Sequence, residues 1–445
     1  MYNIIAYYKH KKGRFYFIIF NSNFKDTNFD FDRTKAFRKG SKIYVNAFFI
    51  EELQMCPKCN SSNISKNGYV YKNVLHCTDH INLIYVKCHI QRYKCKDCFC
   101  IFKETETFSI PNGNLSRASI IIILEKLRYA TSTFESVAKD LHISRQDVIN
   151  VFDRYFTYSP GELPEIISFD EKHVNRSMTD HSYLFIIVDF VNKCIYDILP
   201  SRHKEKLEKY FQKIPKSERD KVKYITMDMW EPYKTVAKMY FKNAKIAVDS
   251  FHVMENINRA MNKVRTTVMQ KFNQNTETLE DNHIFYYFLK KFHFFFTMEF
   301  DDITDKPIKV PKLKTKLVKE EILKYLLSID DRLNEAYKLT SKYREFNRCA
   351  NINNCSEELE DLIDLFLSSK ISHFFEVGKT LLKWKDEIIN SFTIINDRRL
   401  SNGLIEGLNS IISQINMNGK GYSNFFRFKL RIIYVINKNL TIKNK

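Results

Sequence analysis

The chain has 445 residues, 71 of them Lys or Arg and 52 Asp or Glu, for a net charge of +19. Its 44% hydrophobic content excludes a disordered polypeptide, and its longest aliphatic run, Ile120–Leu124, is far too short for a membrane helix. The positive surplus points to a polyanionic partner, most often nucleic acid.

At the N-terminus, Lys9, Lys11 and Lys12 follow a short apolar stretch, the wrong order for a secretory leader, so a cytoplasmic, reducing setting is expected. Residues 1–50 alternate aromatic strand-like runs, Phe15–Phe20 and Ile43–Ile50, with basic turns, and carry no assigned role. Seven of the ten cysteines then fall between Cys56 and Cys100. In a reducing compartment such crowding reads as metal binding before disulfides. Cys56-Pro-Lys-Cys59 and Cys95-Lys-Asp-Cys98 are two CxxC knuckles, each presenting two thiolates from one turn. Together Cys56, Cys59, Cys95 and Cys98 make a structural zinc site, with a β-hairpin expected in the 35-residue gap between knuckles. His76, Cys77, His80, Cys88, His89 and Cys100 are further donors whose spacing is not diagnostic. The zinc-finger block is taken as 51–105.

Residues 115–158 read as helical. Thr133–Leu141, a turn at His142–Ile143, and Ser144–Phe156 form a helix-turn-helix pattern, and Ser144-Arg-Gln-Asp147 carries a helix-start signal. Val137, Ala138, Leu141, Ile143, Val148 and Val151 would be buried between the helices. Arg145, Gln146, Asn150 and Arg154 would face outward, with side chains suited to base edges and phosphates.

Short β-rich runs follow at Ile166–Phe169, Tyr183–Phe190, Cys194–Leu199, Tyr224–Met227 and Lys245–Val248. Helical segments, Lys204–Ile214 and Tyr233–Phe241, separate the later ones. This order predicts a mixed sheet flanked by helices, an α/β architecture. From Val253 to about Phe392 the chain turns to long amphipathic helices such as Leu317–Leu327 and Leu359–Leu367, and a basic tail closes the chain.

Three acids stand out. Glu406 is the one charged residue between Leu400 and Gly419. Leu404, Ile405, Leu408, Ile411, Ile412 and Ile415 make one apolar helix face, while Asn402, Glu406, Asn409 and Ser413 share the opposite side. Asp170 and Asp228 each follow an apolar strand-like run and are expected to emerge at strand ends. Phosphoryl transfer on DNA uses two divalent ions about 3.5–4 Å apart. Hard carboxylate oxygens suit Mg²⁺ or Mn²⁺. Asp170 would bridge both ions, and Asp228 and Glu406 would each complete one. Glu171 and Asp189 compete for these places. So does Asp249 of Asp249-Ser-Phe-His252, which could replace Asp228, pair with His252, or simply cap a helix.

With these residues in place, the chain resembles the ISL3-type DDE transposases of bacterial insertion sequences over about residues 53–435. The carrying motifs are the two knuckles with Gln91-Arg-Tyr-Lys-Cys95 and Phe102, Ile167-Ser-Phe-Asp170-Glu-Lys, and Asp228-Met-Trp-Glu-Pro-Tyr233. They continue with Asp249-Ser-Phe-His252-Val, Ser401-Asn-Gly-Leu-Ile-Glu406-Gly-Leu-Asn409 and Gly419-Lys-Gly-Tyr-Ser-Asn424-Phe. The resemblance implies an RNase H-like catalytic domain at 163–435 with a helical insertion at about 265–395, and DDE roles for Asp170, Asp228 and Glu406. It further implies binding of terminal inverted repeats in double-stranded DNA, an oligomer on that DNA, and a place beside the nucleoid. Two rival functions remain: a DNA-binding protein descended from a transposase, and a structure-selective nuclease.

Overall fold

The computed structural model describes residues 4–9, 15–20, 29–40, 42–49, 52–76, 83–106, 108–109, 113–174, 182–272 and 280–438. They fall into two compact units, one of residues 1–158 and 411–445, the other of residues 159–410. The division runs through a C-terminal helix. Among the described residues no helix is long and apolar enough to cross a membrane.

In the first unit, β1 (Ile4–Lys9) and β2 (Phe15–Phe20) form a hairpin. Strands β3 (Phe29–Lys39), β4 (Lys42–Phe49), β5 (Ile64–His76) and β6 (Leu83–Cys95) make a sheet in the order β3-β4-β6-β5, with β7 (Ile101–Lys103) against β6. The hairpin expected between the knuckles is β5–β6, running from Ile64↔Cys95 to His76↔Ile84. β4 runs parallel to β6, so the N-terminal segment and the cysteine block, separate in the sequence reading, share one sheet. Period-two burial explains its core: Ile43, Val45 and Ala47 of β4 face inward with Ile84, Val86, Cys88 and Ile90 of β6.

Three helices follow: α1 (Arg117–Lys126), α2 (Phe134–Asp140) and α3 (Arg145–Tyr155). Thr133 caps α2 through the Ser136 N–H, and Ser144 caps α3 through the Asp147 N–H, which fixes both starts where the sequence puts them. His142 adopts a left-handed backbone (φ 53) in the intervening turn. Val148, Ile149, Val151, Phe152 and Tyr155 of α3 are buried.

In the second unit, β8 (Ile166–His173), β9 (Tyr183–Asp189) and β10 (Cys194–Leu199) form an antiparallel meander. After α4 (Lys204–Phe211) and α5 (Lys216–Arg219), β11 (Tyr224–Met227) adds parallel to β8. After α6 (Glu231–Tyr240), β12 (Lys245–Val248) adds parallel to β11. The sheet order is β10-β9-β8-β11-β12. Phe169, Phe185, Phe211, Tyr233 and Phe241 pack the sheet against α4 and α6.

Helices α7 (Ser250–Lys271), α8 (Glu280–Lys291), α9 (Lys319–Ser328), α10 (Asp331–Cys349), α11 (Cys355–Leu367), α12 (Ser372–Lys383) and α13 (Lys385–Asn390) follow. They share a second apolar core through Ile257, Phe288, Leu326, Tyr343, Phe366 and Trp384. α14 (Gly403–Asn418) and α15 (Phe425–Ile436) close the chain.

One expectation needs correction. Asp170 does not end its strand. β8 runs on to His173 because β9 keeps pairing with it as far as His173↔Tyr183, holding polar residues extended.

Candidate active site

Three acids lie level on neighbouring strands. β11 pairs with β8 through Thr226↔Ser168, so the next same-face positions are Asp228 and Asp170. β11 pairs with β12 through Met227↔Val248, so Asp249 follows beside Asp228. The carboxyl ends of parallel strands are where open α/β sheets place ligands.

Asp170 is buried, and its carboxyl is pushed up to about 7, first by burial and then by the charge of Asp228. Asn409 donates to its Oδ2 at 2.6 Å. Asp228 accepts from Asn402 Nδ2 (3.0 Å) and His252 Nε2 (2.9 Å), both at Oδ1. His252 is pushed up to about 9, chiefly by that hydrogen bond to Asp228. Asp249 is buried, caps α7 by accepting the Phe251 N–H at 3.2 Å, and is raised by burial. Thus the His252 ring reaches across to the Asp228 carboxylate, one strand over, while its backbone N–H donates to the Asp249 carbonyl at 3.1 Å.

Glu406 is exposed on α14 and makes no hydrogen bond or ion pair among the described residues. Its neighbours at −4 and +3 are Asn402 and Asn409, the amides that touch Asp228 and Asp170. Helical spacing puts Glu406 and Asn409 on one face of α14, and Asn402 immediately precedes that helix. Buried Ile405, Leu408, Ile412 and Ile415 form the other, as the periodicity predicts. The sequence suggested that Asn402 and Asn409 share a face with Glu406 but gave them no role. Asn402 also donates to the Phe169 carbonyl (3.1 Å) and accepts from Thr226 (2.7 Å).

The competing acids are otherwise engaged. Glu171 pairs with Arg202 and accepts from Tyr233 at 3.1 Å, while Arg202 lies over Tyr183 and Trp230. Asp189 closes the β9–β10 turn by accepting the N–H groups of Val191 and Asn192.

In the first unit, the Cys56, Cys59, Cys95 and Cys98 sulfurs lie within 4.8 Å of one another. Cys59–Cys95 and Cys56–Cys98 are 3.6 and 3.7 Å apart. Bonds of 2.3 Å to a tetrahedral zinc set an edge of about 3.8 Å, so this cluster can hold that ion. Cys100 approaches Cys56 (3.3 Å) but is outside the four-sulfur group. His76 bonds Ser116 at 2.9 Å and His89 bonds Asn46 at 2.9 Å. Cys88 is core. Cys77 and His80 lie outside the described residues. Arg145, Gln146, Asn150 and Arg154 are all exposed on α3, with Gln146 donating to Asn150 at 2.7 Å.

An α/β sheet that brings Asp170, Asp228 and Asp249 level on three neighbouring strands, beside a helix carrying Glu406 and Asn409, defines a class of acid-cluster α/β proteins. A family model described as Transposase, for the ISL3-type DDE proteins, matches residues 167–432, and the chain belongs to that family. It is also similar to the transposase for insertion sequence element IS1001 of Bordetella parapertussis, with 24% identity over 111 residues. That match covers 25% of this chain and 27% of the relative, so it spans little more than a quarter of that protein.

Proposed function

We propose that this chain is an active transposase that binds the terminal inverted repeats of an insertion sequence and catalyses metal-dependent strand cleavage and transfer. The observation that carries the reading is the pair of amides flanking Glu406. Through them, the residue just before α14 is tied to Asp228 and the first turns of α14 to Asp170. The sheet order β10-β9-β8-β11-β12, with its meander and two parallel additions, supports an RNase H-like core.

Asp170, Asp228 and Glu406 would hold two Mg²⁺ or Mn²⁺ ions. Asp170 is raised first by burial and then by the charge of Asp228, and a cation would offset that second contribution. Bound there, such ions supply an activated attacking oxygen and a stabilised leaving 3′-oxygen. The protein's own part is positioning. Asn409 and Asn402 fix one oxygen of each Asp, and His252 shares the Asp228 oxygen, so the acids stay oriented. Asp249 anchors α7, which also places Arg259 on the pocket wall beside Asp228 and His252. Arg259 and Arg202 can meet DNA phosphates there.

The four-thiolate cluster is read as a structural zinc site and α2–α3 as a helix-turn-helix. Gln146 and Asn150 would read bases, and Arg145 and Arg154 would take bases or phosphates. The active form would be an oligomer on the element ends.

The test is nicking of duplex DNA carrying the native ends. Asp170→Asn, Asp228→Asn and Glu406→Gln each remove a ligand charge with little change in volume. Each is expected to lower Mg²⁺-dependent nicking by on the order of 10³-fold or more while band shifts persist. Asp249→Asn keeps an equally good N-cap acceptor for the Phe251 N–H, and is expected to keep most cleavage. Parental cleavage by all three triad variants would defeat the proposal. Normal cleavage by Asp228→Asn with a dead Asp249→Asn would reassign the second carboxylate.

A further inference from the structure

The Gly419–Asn424 segment is untouched by the acid cluster and by the zinc site. It belongs to the first unit, with α2 and α3. Its backbone is tightly set. Gly419, Lys420 and Gly421 donate to the Ile415, Met417 and Asn416 carbonyls at 3.1, 3.0 and 3.1 Å, closing the end of α14. Lys420 and Gly421 take left-handed conformations, φ 51 and φ 86. Gly419 has no room for a side chain, because a Cβ there would meet the Tyr422 ring at 2.6 Å. Tyr422 packs on Phe428 (4.7 Å between ring centres) and on Phe134 of α2 (6.5 Å). Asn424 caps α15 through the Arg427 N–H.

This loop walls a pocket of about 620 Å³ together with α2 and α3. Cations enter it from three separate segments: Lys139 of α2, Arg145 of α3 and Lys420 of the loop, with Ser423 and Asn424 adding polar groups. Lys139 is matched by Glu135 at 3.5 Å, and Arg427 by Asp153 at 2.6 Å. Arg145 and Lys420 form no ion pair among the described residues. Two such cations converging from different elements on an open polar recess need an anion that is itself exposed and extended. A phosphodiester backbone meets that requirement.

We propose that this pocket holds the backbone phosphates of duplex DNA, with Lys420 as a dedicated contact, and that the Gly419–Asn424 loop belongs to the DNA-gripping machinery. The proposal rests on the reading of this unit as DNA-binding. It adds a sequence-independent contact beside Arg145, the first residue of the proposed reading helix. Such a contact fixes the register in which α3 meets base edges.

The experiment uses the full chain with a random-sequence duplex and a duplex carrying the element ends, with affinity for each measured over a range of salt concentrations. Lys420→Gln is expected to weaken binding and to flatten the slope of log K against log salt by about 0.9, one phosphate contact. Gly419→Ala removes no charge but forces the loop to move, and is expected to weaken binding in the same direction. If Gly419→Ala does not fold, Lys420→Gln, at an exposed position, carries the test alone. Parental affinity and slope in Lys420→Gln would overturn the proposal. Gln146→Ala and Asn150→Ala separate it from the α3 reading. If they alter sequence preference while Lys420→Gln changes nothing, α3 reads DNA and the pocket does not bind it. If only Lys420→Gln acts, the pocket stands and α3 is not the reader.

Discussion

Asn402 carries no charge, yet its side chain joins β8 and β11 of the five-stranded sheet, and its backbone N–H reaches Asp249 beyond a third strand. It is 4% exposed, so water cannot replace the contacts it makes. Asn402→Ala would strand the Phe169 carbonyl, leave the Thr226 hydroxyl with Ser168 alone, and leave Asp228 with His252 as its remaining hydrogen-bond partner of the two. The expected cost is about 2 kcal/mol of stability, read by thermal unfolding. Loss of an orienting partner is also expected to lower Mg²⁺-dependent nicking by roughly 10–100-fold. A variant that melts lower but nicks at the parental rate would make Asn402 a purely structural residue. The isolation of Glu406 was legible because charge density is a local property of sequence. The contacts of Asn402 were not, since its partners at Phe169 and Asp228 lie 233 and 174 positions away and only the sheet brings them near.

Among the elements, β10, β11 and β12 begin and end where the β-rich runs predict, because turn-forming or polar residues bound each run. β8 was read too short, since pairing with β9 overrides the polarity of Glu171, Lys172 and His173. The tail hid more. Read as basic, α15 buries Phe428, Ile432, Ile433, Tyr434 and a fully buried Arg431. Arg431 donates to the Leu127 carbonyl, to that of Tyr129 (2.8 Å) and to that of Ser132 (2.9 Å), the connection between α1 and α2. Tyr434 donates to the Leu124 carbonyl at 3.1 Å and packs on Phe152 and Phe156. No periodicity rule distinguishes a buried arginine from a solvated one; only the carbonyl cluster it satisfies does. Arg431→Met keeps the apolar stem and strands those three carbonyls. We expect a loss of about 3 kcal/mol and faster amide exchange across α1–α3. Parental exchange rates there would show that α15 does not hold the helical trio together.

At the scale of the whole molecule, the two proposed metal sites differ in chemistry and fall in different units. Four thiolates select a soft or borderline ion, and the carboxylates select a hard one. Each unit also has its own apolar core, so each can unfold as a cooperative body. Two calorimetric transitions are therefore expected. A structural zinc contributes directly to folding, so Cys95→Ser or a zinc chelator should lower the transition of the first unit and release one zinc ion. Mg²⁺ binds folded carboxylates in preference to the unfolded chain, so millimolar Mg²⁺ should raise the other transition by mass action. The two effects should be separable in variants. Asp170→Asn removes the carboxylate that burial and Asp228 push up to about 7, and with it the repulsion that cation binding would offset. In that variant the Mg²⁺-induced rise should vanish while zinc content and the first transition stay unchanged. A Mg²⁺ response that survives in Asp170→Asn would place the hard-cation site elsewhere in the chain. A single transition responding equally to both metals would show that the units do not unfold independently.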